Sequence, residues 1–480
     1  MKSEGKVLSN LIWRFAERCG AQSVTLVVSI VLARLLDPKV YGTVALITVF
    51  TSILQKFVDC GLGTALIQKK DADDLDFSSV FFFNIFSCLL IYALLFFSAP
   101  AIAKFYDDEA LTALIRVMSL MIVISGVKNV QQAYVSRTLQ FKRFFYATLG
   151  GTIGAAVVGI WMAYKGMGVW ALVVQQLFNA AVDTTILWFT VKWRPKRMFS
   201  FERLKTLFDF GWKLLVSGVI DTVCIKLSDL IIGKLYSSSA LAYFNKGAQF
   251  PEIIAINVNS SIDSVLLPVM SSQQESVTAV REMTRKAIRI SSYIMWPVML
   301  GLAACAEPLV RLILTDKWLP CVPFLRIACI SYATYPIHTA NLNAIKAIGR
   351  SDLFLTLEII KSVLRIVLLA VTMNFGVIYM AFGMLASTML AMVVNAYPNK
   401  KLLDYSFVKQ LRDIVPSALL SFVMAAAVRL VELIGMPDVM TLILQIIAGA
   451  VFYAVSSKLL RMEEFDYAFS TVRSMLKKEN

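Results

Sequence analysis

The sequence predicts an all-α polytopic membrane protein of about 14 transmembrane helices. The expected arrangement is two parallel six-helix lobes around a central cavity, with two further helices at the C-terminus. Three observations carry this expectation. The 480 residues are 58% hydrophobic and 16% charged, with a mean hydropathy of +0.70; soluble domains are about 45–50% apolar and about 25% charged. Apolar runs of roughly 20 residues recur along the whole chain, without the in/out alternation of a membrane barrel, so helices are the spanning structure. The second half of the chain also echoes the first.

The elements follow in order. The first span, residues 10–35, lies in "SNLIWRFAERCGAQSVTLVVSIVLARLL". Arg14, Glu17 and Arg18 interrupt its apolar run and no small-residue cleavage pattern follows, so it reads as a retained helix, not a cleavable signal. Five more spans fall at 40–60, 78–103, 112–136, 144–164 and 168–191. The polar stretch "KWRPKRMFSFERLK" (192–205) precedes spans at 208–234 and 239–267. A second polar stretch, "SSQQESVTAVREMTRKAIR" (271–289), leads into spans at 288–313, 321–345, 353–374, 376–397, 412–434 and 439–459. A polar tail starts at Arg461. None of these connections is long enough to house a soluble domain. Pro251, Pro297 and Pro336 fall within spans and read as kinks.

Charge gives the orientation. The chain holds 47 Lys and Arg against 32 Asp and Glu, a net charge of +15. Taking alternate connections, one set carries 30 basic residues and the other 8. By the positive-inside rule the first set is cytoplasmic, and both termini with it. The basic surplus is therefore topological, and no basic aromatic module accompanies it to suggest a nucleic-acid partner. The seven cysteines (19, 60, 88, 224, 305, 321 and 329) lie in or beside apolar runs with no CxxC pair, and read as buried free thiols. His338 is the single histidine and has no Cys/His cluster around it, so no metal site is expected.

The repeat is legible in "SIVLARLLDPKVYGTV" (29–44) and "DLIIGKLYSSSALAYF" (229–244). An offset of 200 lays Arg34 on Lys234, Leu35 on Leu235 and Gly42 on Ala242. Further on, "SAPAIAKFYDD" (98–108) matches "AEPLVRLILTD" (306–316), with Pro100 on Pro308, and "LIRVMSL" (114–120) matches "FLRIACI" (324–330). Six spans per copy is an even number, so the copies share one orientation, as in transporters whose lobes rock about a central cleft. The expected division is an N-lobe over 1–195, a C-lobe over 196–400, and spans 13 and 14 with a tail over 401–480.

Charges within spans mark the cleft, because a charge at the bilayer centre costs about 2.5–3.5 kcal/mol even on lenient scales. Nine basic residues lie outside the connections: Lys56, Arg116, Lys128, Lys213, Lys226, Lys246, Arg326, Lys361 and Arg365. Arg116 and Arg326 hold matching places near span ends and are expected to snorkel. The seventh span carries Asp221, Lys226 and Asp229. The eighth carries Lys246, Gln249 and Glu252 around Pro251, then Asn257, Asn259 and Asp263. Glu358, Lys361 and Arg365 form one stripe on the eleventh span, and Arg14, Glu17 and Arg18 form one on the first. Each acid neutralising its neighbour would be a purely structural account of any one pair. Taken together, the basic capacity on four helices points to a wet, net-basic cleft. The chain has no Walker loop, GxSxG or HExxH, so it is expected to be neither an enzyme nor a cofactor protein.

The segment "RLLDPKVYGTVALITVFTSILQKFVDCGLGTALIQKKDADDLDFSSVFFFNI" resembles the first three spans of the bacterial Wzx-type polysaccharide and O-antigen flippases, in the multidrug/oligosaccharidyl-lipid/polysaccharide exporter superfamily. The resemblance continues through "GVWALVVQQLFNAAVDTTILWFTVKWRPK" and "LFDFGWKLLVSGVIDTVCIKLSDLIIGKL" and covers nearly the whole chain. It implies two six-helix lobes around a V-shaped cavity in the bacterial inner membrane. The implied activity moves an undecaprenyl-pyrophosphate-linked oligosaccharide from the cytoplasmic to the periplasmic leaflet. Partners would be that lipid-linked substrate, membrane lipids, and a polysaccharide polymerase with its assembly proteins. Each sugar hydroxyl taken dry into hydrocarbon costs about 4–8 kcal/mol, so unassisted flipping is negligible. A pyrophosphate is best held by Arg and Lys, which assigns Arg14, Arg18, Lys226, Lys246, Lys361 and Arg365 to it. Glu17, Asp221, Asp229 and Glu252 are candidates for ion coupling. A peptidoglycan-precursor flippase, a cation-coupled drug antiporter and a membrane polysaccharide polymerase stand as alternatives; the antiporter would want an acidic cleft and the polymerase a catalytic acidic motif.

Overall fold

A computed structural model describes residues 20–467 except 60, 61, 70, 139 and 141, together with residue 470. Arg14, Glu17, Arg18, Cys19 and Cys60 lie outside the described residues, which contain helices and no strands. Helical segments occupy all fourteen expected span positions. Nine of them, among the described residues, are both long and apolar enough by themselves to cross a membrane.

The chain forms two compact units, Met1–Ala242 and Tyr243–Asn480. The first contains α1 (Gly20–Leu35), α2 (Pro38–Asp59), α3 (Leu62–Gln68), α4 (Asp74–Tyr106), α5 (Ala110–Met118), α6 (Leu120–Arg137), α7 (Lys142–Tyr164), α8 (Val169–Thr190) and α9 (Phe201–Leu235). Its core gathers Leu32, Ile47, Ile115, Met118 and Val173 from α1, α2, α5 and α8. A second cluster at the opposite ends of the helices joins Leu66, Phe77, Val130, Phe144 and Trp193. The last helix, α9, packs on α2, α3 and α4. The compact units thus part after α9, whereas the sequence repeat parts before it.

The second unit is built from α10 (Ser238–Ser271, entering from the first unit), α11 (Val277–Ala304), α12 (Ala306–Leu314), a 3₁₀ turn (Asp316–Cys321), α13 (Val322–Ala333), α14 (Tyr335–Ala347), α15 (Ser351–Thr372), α16 (Val377–Leu402), α17 (Phe407–Leu430) and α18 (Asp438–Leu459). Spans 13 and 14 are α17 and α18, and α17 packs along α11. Arg285 of α11 grips Asp413 of α17 through two bonds of 2.9 and 3.0 Å. Beyond α18, Glu464 meets Arg289 at 2.5 Å, and the Tyr453 hydroxyl donates to the Tyr293 carbonyl at 3.0 Å.

Local chemistry explains several boundaries. The Asp73 carboxylate accepts from the Leu75 and Asp76 amides while the Asp76 carboxylate accepts from the Asp73 amide, a reciprocal cap that starts α4. Of the two polar stretches read as connections, 271–289 is mostly helical, the start of α11, whereas 192–205 stays non-helical until α9 begins at Phe201. Ser200 caps α9 by accepting from the Arg203 amide, and Ser276 caps α11 by accepting from the Ala279 amide, both at 3.3 Å. Pro336 is no interior kink: the tenth span breaks at Thr334, and Pro336 sits in the first turn of α14, where its missing N–H costs little. The five described cysteines are buried and form no disulfide among the described residues.

The repeat survives at atomic detail. Helices α1 and α9 end at Leu35 and Leu235, and α2 and α10 begin at Pro38 and Ser238, all at an offset of 200. Further along, Asp107 and Thr315 share left-handed φ values of 56° and 84° at an offset of 208, which also relates Pro100 to Pro308 and the positive-φ N-caps Gly168 and Gly376. Arg116 and Arg326 do not simply snorkel. Each donates its Nε to a backbone carbonyl of the preceding long helix, Phe96 at 3.1 Å and Ala303 at 3.3 Å. The copies differ where α4 runs unbroken through Pro100 while its counterpart breaks at Cys305 into α11 and α12.

Candidate functional site

In the first unit the charged helix is α9. Lys226 and Asp229, one turn apart, form an ion pair of 3.1 Å; the Asp229 side chain is nearly buried and the Lys226 side chain about a third exposed. Asp221 is exposed and carries no ion pair among the described residues. Both ends of α9 are tied to α4. At one end Arg203 reaches Asp76 at 3.4 Å and Asp73 at 3.7 Å, and the Ser200 amide donates to Ser79 Oγ at 2.9 Å. The Asp73 carboxyl is held below the usual carboxylate range, first by the Asp76 amide and also by the Arg203 charge. At the other end Lys234 pairs with Asp107 at 3.0 Å and the Tyr106 hydroxyl donates to the Leu230 carbonyl at 3.4 Å. Beside that end, Gly42 of α2 lies so close to Ser238 that any side chain would run into the Ser238 carbonyl; glycine is required there by close approach.

A second intramembrane pair was not anticipated. Lys128 of α6 meets Asp183 of α8 at 2.9 Å, with both side chains mostly buried. Lys128 stood out in the sequence, and the signal for its partner was a single Asp in the apolar run of the sixth span.

In the second unit Lys361 and Glu358 pair at 2.6 Å on α15, with Lys361 only 13% exposed. One turn further, Arg365 is partly buried and has no carboxylate partner among the described residues. Across from them on α14, Tyr335 lies within electrostatic reach of both Arg365 and Glu252 of α10, and His338 within reach of Lys361. The sequence reading missed Tyr335; its position three residues from His338 puts both on one helix face. The Thr339 hydroxyl donates to Asn259 Oδ1 at 3.2 Å and ties α14 to α10. Glu252 and Arg365 thus both act on Tyr335, and Lys361 acts on His338 one turn further along α14. Lys246 is elsewhere: 6% exposed, it lies 5.7 Å from the Trp318 ring centre beside Cys321. Behind the charged face, α14, α16 and α17 share a buried amide network. Asn341 and Gln410 exchange bonds of 2.8 and 2.9 Å, Asn399 donates to Asn341 Oδ1 at 2.6 Å, and Asn395 meets His338 Nδ1 at 3.0 Å.

Nine helices long and apolar enough to cross a membrane among the described residues, in a duplicated arrangement with charged side chains set within the spans, define a multi-pass membrane protein. The profile of a family described as "Polysaccharide biosynthesis protein" matches residues 31–323, and the chain belongs to that family. It is similar to the teichuronic acid biosynthesis protein TuaB of Bacillus subtilis, 25% identical over 311 residues, which are 64% of this chain and 63% of TuaB. The match therefore spans somewhat under two thirds of that relative's length. It is also similar to the succinoglycan biosynthesis transport protein ExoT of Rhizobium meliloti, 24% identical over 74% of this chain and 72% of that protein. Among solved structures, the lipid II flippase MurJ in an inward closed conformation shares the fold with a TM-score of 0.77 at 15% identity, covering 95% of this chain and 99% of MurJ.

Proposed function

We propose that the protein is a flippase that carries an undecaprenyl-pyrophosphate-linked oligosaccharide repeat unit from the cytoplasmic to the periplasmic leaflet by alternating access. The observation that carries this reading is Arg365: a guanidinium with no carboxylate partner among the described residues, one turn from Lys361, inside the eleventh expected span; membership, over residues 31–323, of a family described as polysaccharide biosynthesis proteins supports it. Holding such a charge in a membrane is worthwhile where an anion visits it. A lipid pyrophosphate is such an anion, and its glycan needs the hydrated path that polar inner helices supply. The names of relatives such as ExoT, a biosynthesis transport protein, support the same class.

In this reading Lys226, Lys361 and Arg365 hold the pyrophosphate, Arg14 and Arg18 receive it at the cytoplasmic entrance, and Lys246 is reached only if the helices around Trp318 part. Glu17, Asp221, Asp229 and Glu252 are the groups through which an ion would couple. We infer a location in the inner membrane with both termini cytoplasmic, from the 30-to-8 imbalance of basic residues. Polymerase and assembly proteins would act on the product in the outer leaflet. Neutral substitution of Lys226, Lys361 or Arg365, with the protein's abundance checked, should reduce polysaccharide export by about tenfold or more, since charge-assisted contacts to phosphate are the strong ones. Lys→Arg exchanges should do less harm. Export that survives alanine at all three would refute the assignment.

A further inference from the structure

The eighth span carries a polar face that the pyrophosphate reading does not use. Only 11% of the membrane-crossing stretch of α10 is buried within the protein. On it Asn257, Ser260, Ser261 and Ser264 fall at i, i+3, i+4 and i+7, a single face, and all four are exposed. Each bonds back to its own helix. Asn257 Nδ2 donates to the Ile253 carbonyl at 2.7 Å, Ser260 and Ser261 to the Asn257 carbonyl at 3.1 and 2.9 Å, and Ser264 to the Ser261 carbonyl at 2.9 Å. A serine bonded back to its helix is tolerated in lipid. Asn257 is not so easily accommodated, because its amide oxygen accepts no hydrogen bond among the described residues. Nearby Asp263 is exposed too, with no ion pair among the described residues. Turned to lipid, these groups would cost several kcal/mol, so this side of α10 meets water.

Its depth singles out a use. Helix α10 ends at Ser271 and α15 begins at Ser351, both at the end expected to be cytoplasmic. Counted inward from these ends, Ser264, Ser261 and Asn257 lie 7, 10 and 14 residues in; Glu358, Lys361 and Arg365 lie 7, 10 and 14 residues in. At about 1.5 Å per residue the two stripes occupy one layer. Helix α14 bridges them, through Thr339 to Asn259 on α10 and through Tyr335 to the neighbourhood of Arg365.

Resting on the flippase reading, we propose that the Asn257, Ser260, Ser261, Ser264 face is the glycan subsite, which hydrogen-bonds the sugars nearest the pyrophosphate while α15 holds the pyrophosphate itself. Neutral amides and hydroxyls, each both donor and acceptor, match sugar hydroxyls; a phosphate would demand cations, which this face lacks. The subsite would select among glycans, and α15 would not.

The test is a pair of equilibrium binding measurements on the full-length protein in nanodiscs. One probe is a sugar-free prenyl pyrophosphate; the other is the same lipid bearing the oligosaccharide repeat unit of the producing strain. The combined substitution Asn257→Leu and Ser261→Ala should weaken binding of the glycosylated lipid about tenfold and leave the sugar-free lipid unchanged, which also reports an intact fold. The combined substitution Lys361→Ala and Arg365→Ala should weaken both. Equal loss for both probes in the α10 variant, or no loss for either, would overturn the subsite. If the unsubstituted protein bound neither probe, the flippase reading itself would fall.

Discussion

Lys128 and Asp183 illustrate what one charge does inside this protein. Their 2.9 Å pair joins α6 to α8, and each side chain is about four-fifths buried. Removing one partner leaves the other uncompensated in a low-dielectric setting, which costs about 3 kcal/mol or more. Asp183→Asn should therefore lower the thermal stability of the detergent-solubilised protein markedly. The exchange Lys128→Asp with Asp183→Lys should recover much of the loss; a variant as stable as the parent would mean the pair carries no structural weight. Arg365 is the opposite case. Having no carboxylate to abandon, it should tolerate Arg365→Gln with little loss of stability and a large loss of export. That separation of stability from activity distinguishes a ligand-facing cation from a packing one. Both residues lay in plain sight as intramembrane charges. Their different situations were not legible, because whether a cation meets a carboxylate depends on which helices are neighbours.

At the scale of elements, the repeat was readable from matched residues, and helix ends confirm it at offsets of 200 and 208. The apolar runs gave the spans because hydrocarbon demands them. The polar beginnings of α9 and α11 were hidden for the same reason: helix outside the apolar layer needs no apolar run, and only the caps Ser200 and Ser276 announce it. Gly42 against Ser238 gives the duplication mechanical content, since Gly42, just past the turn 36–40, abuts Ser238 of the equivalent turn 236–240. Cysteines at Lys39 and Ser239, in a background without native cysteines, should form a disulfide under mild oxidation. Bridged protein should fail to export polysaccharide, and reduction should restore it. Full activity in quantitatively bridged protein would exclude separation of these turns from the transport cycle.

At the scale of the whole molecule, orientation is the property the sequence carries and the fold does not. Reporter fusions at Lys165, Lys234 and Met436 should read as periplasmic, and fusions at Arg194, Gln274, Lys400 and Asn480 as cytoplasmic. A periplasmic Asn480 would make the number of spans odd and undo the pairing of copies. The membrane character, the all-helical class and the family were legible throughout, since each is written in composition and in long matched segments. That Glu252 and Arg365 both face Tyr335, and Lys361 faces His338, was legible only as a set of charges, because the two rings come from a third helix, α14. Lys246 shows the same limit, lying under Trp318 from a connection more than 70 residues away.

The central claim is translocation, and it is measured most directly with purified protein in sealed proteoliposomes. A lipid-linked oligosaccharide placed in one leaflet is followed by its accessibility to a lectin that cannot cross the membrane. The account predicts that lectin-accessible glycan changes sides with time, that protein-free vesicles show no change, and that the Lys361→Ala, Arg365→Ala protein behaves like the empty vesicles. If the native protein, correctly inserted and binding the lipid, left the glycan in its original leaflet under every ion gradient tried, the account would be contradicted.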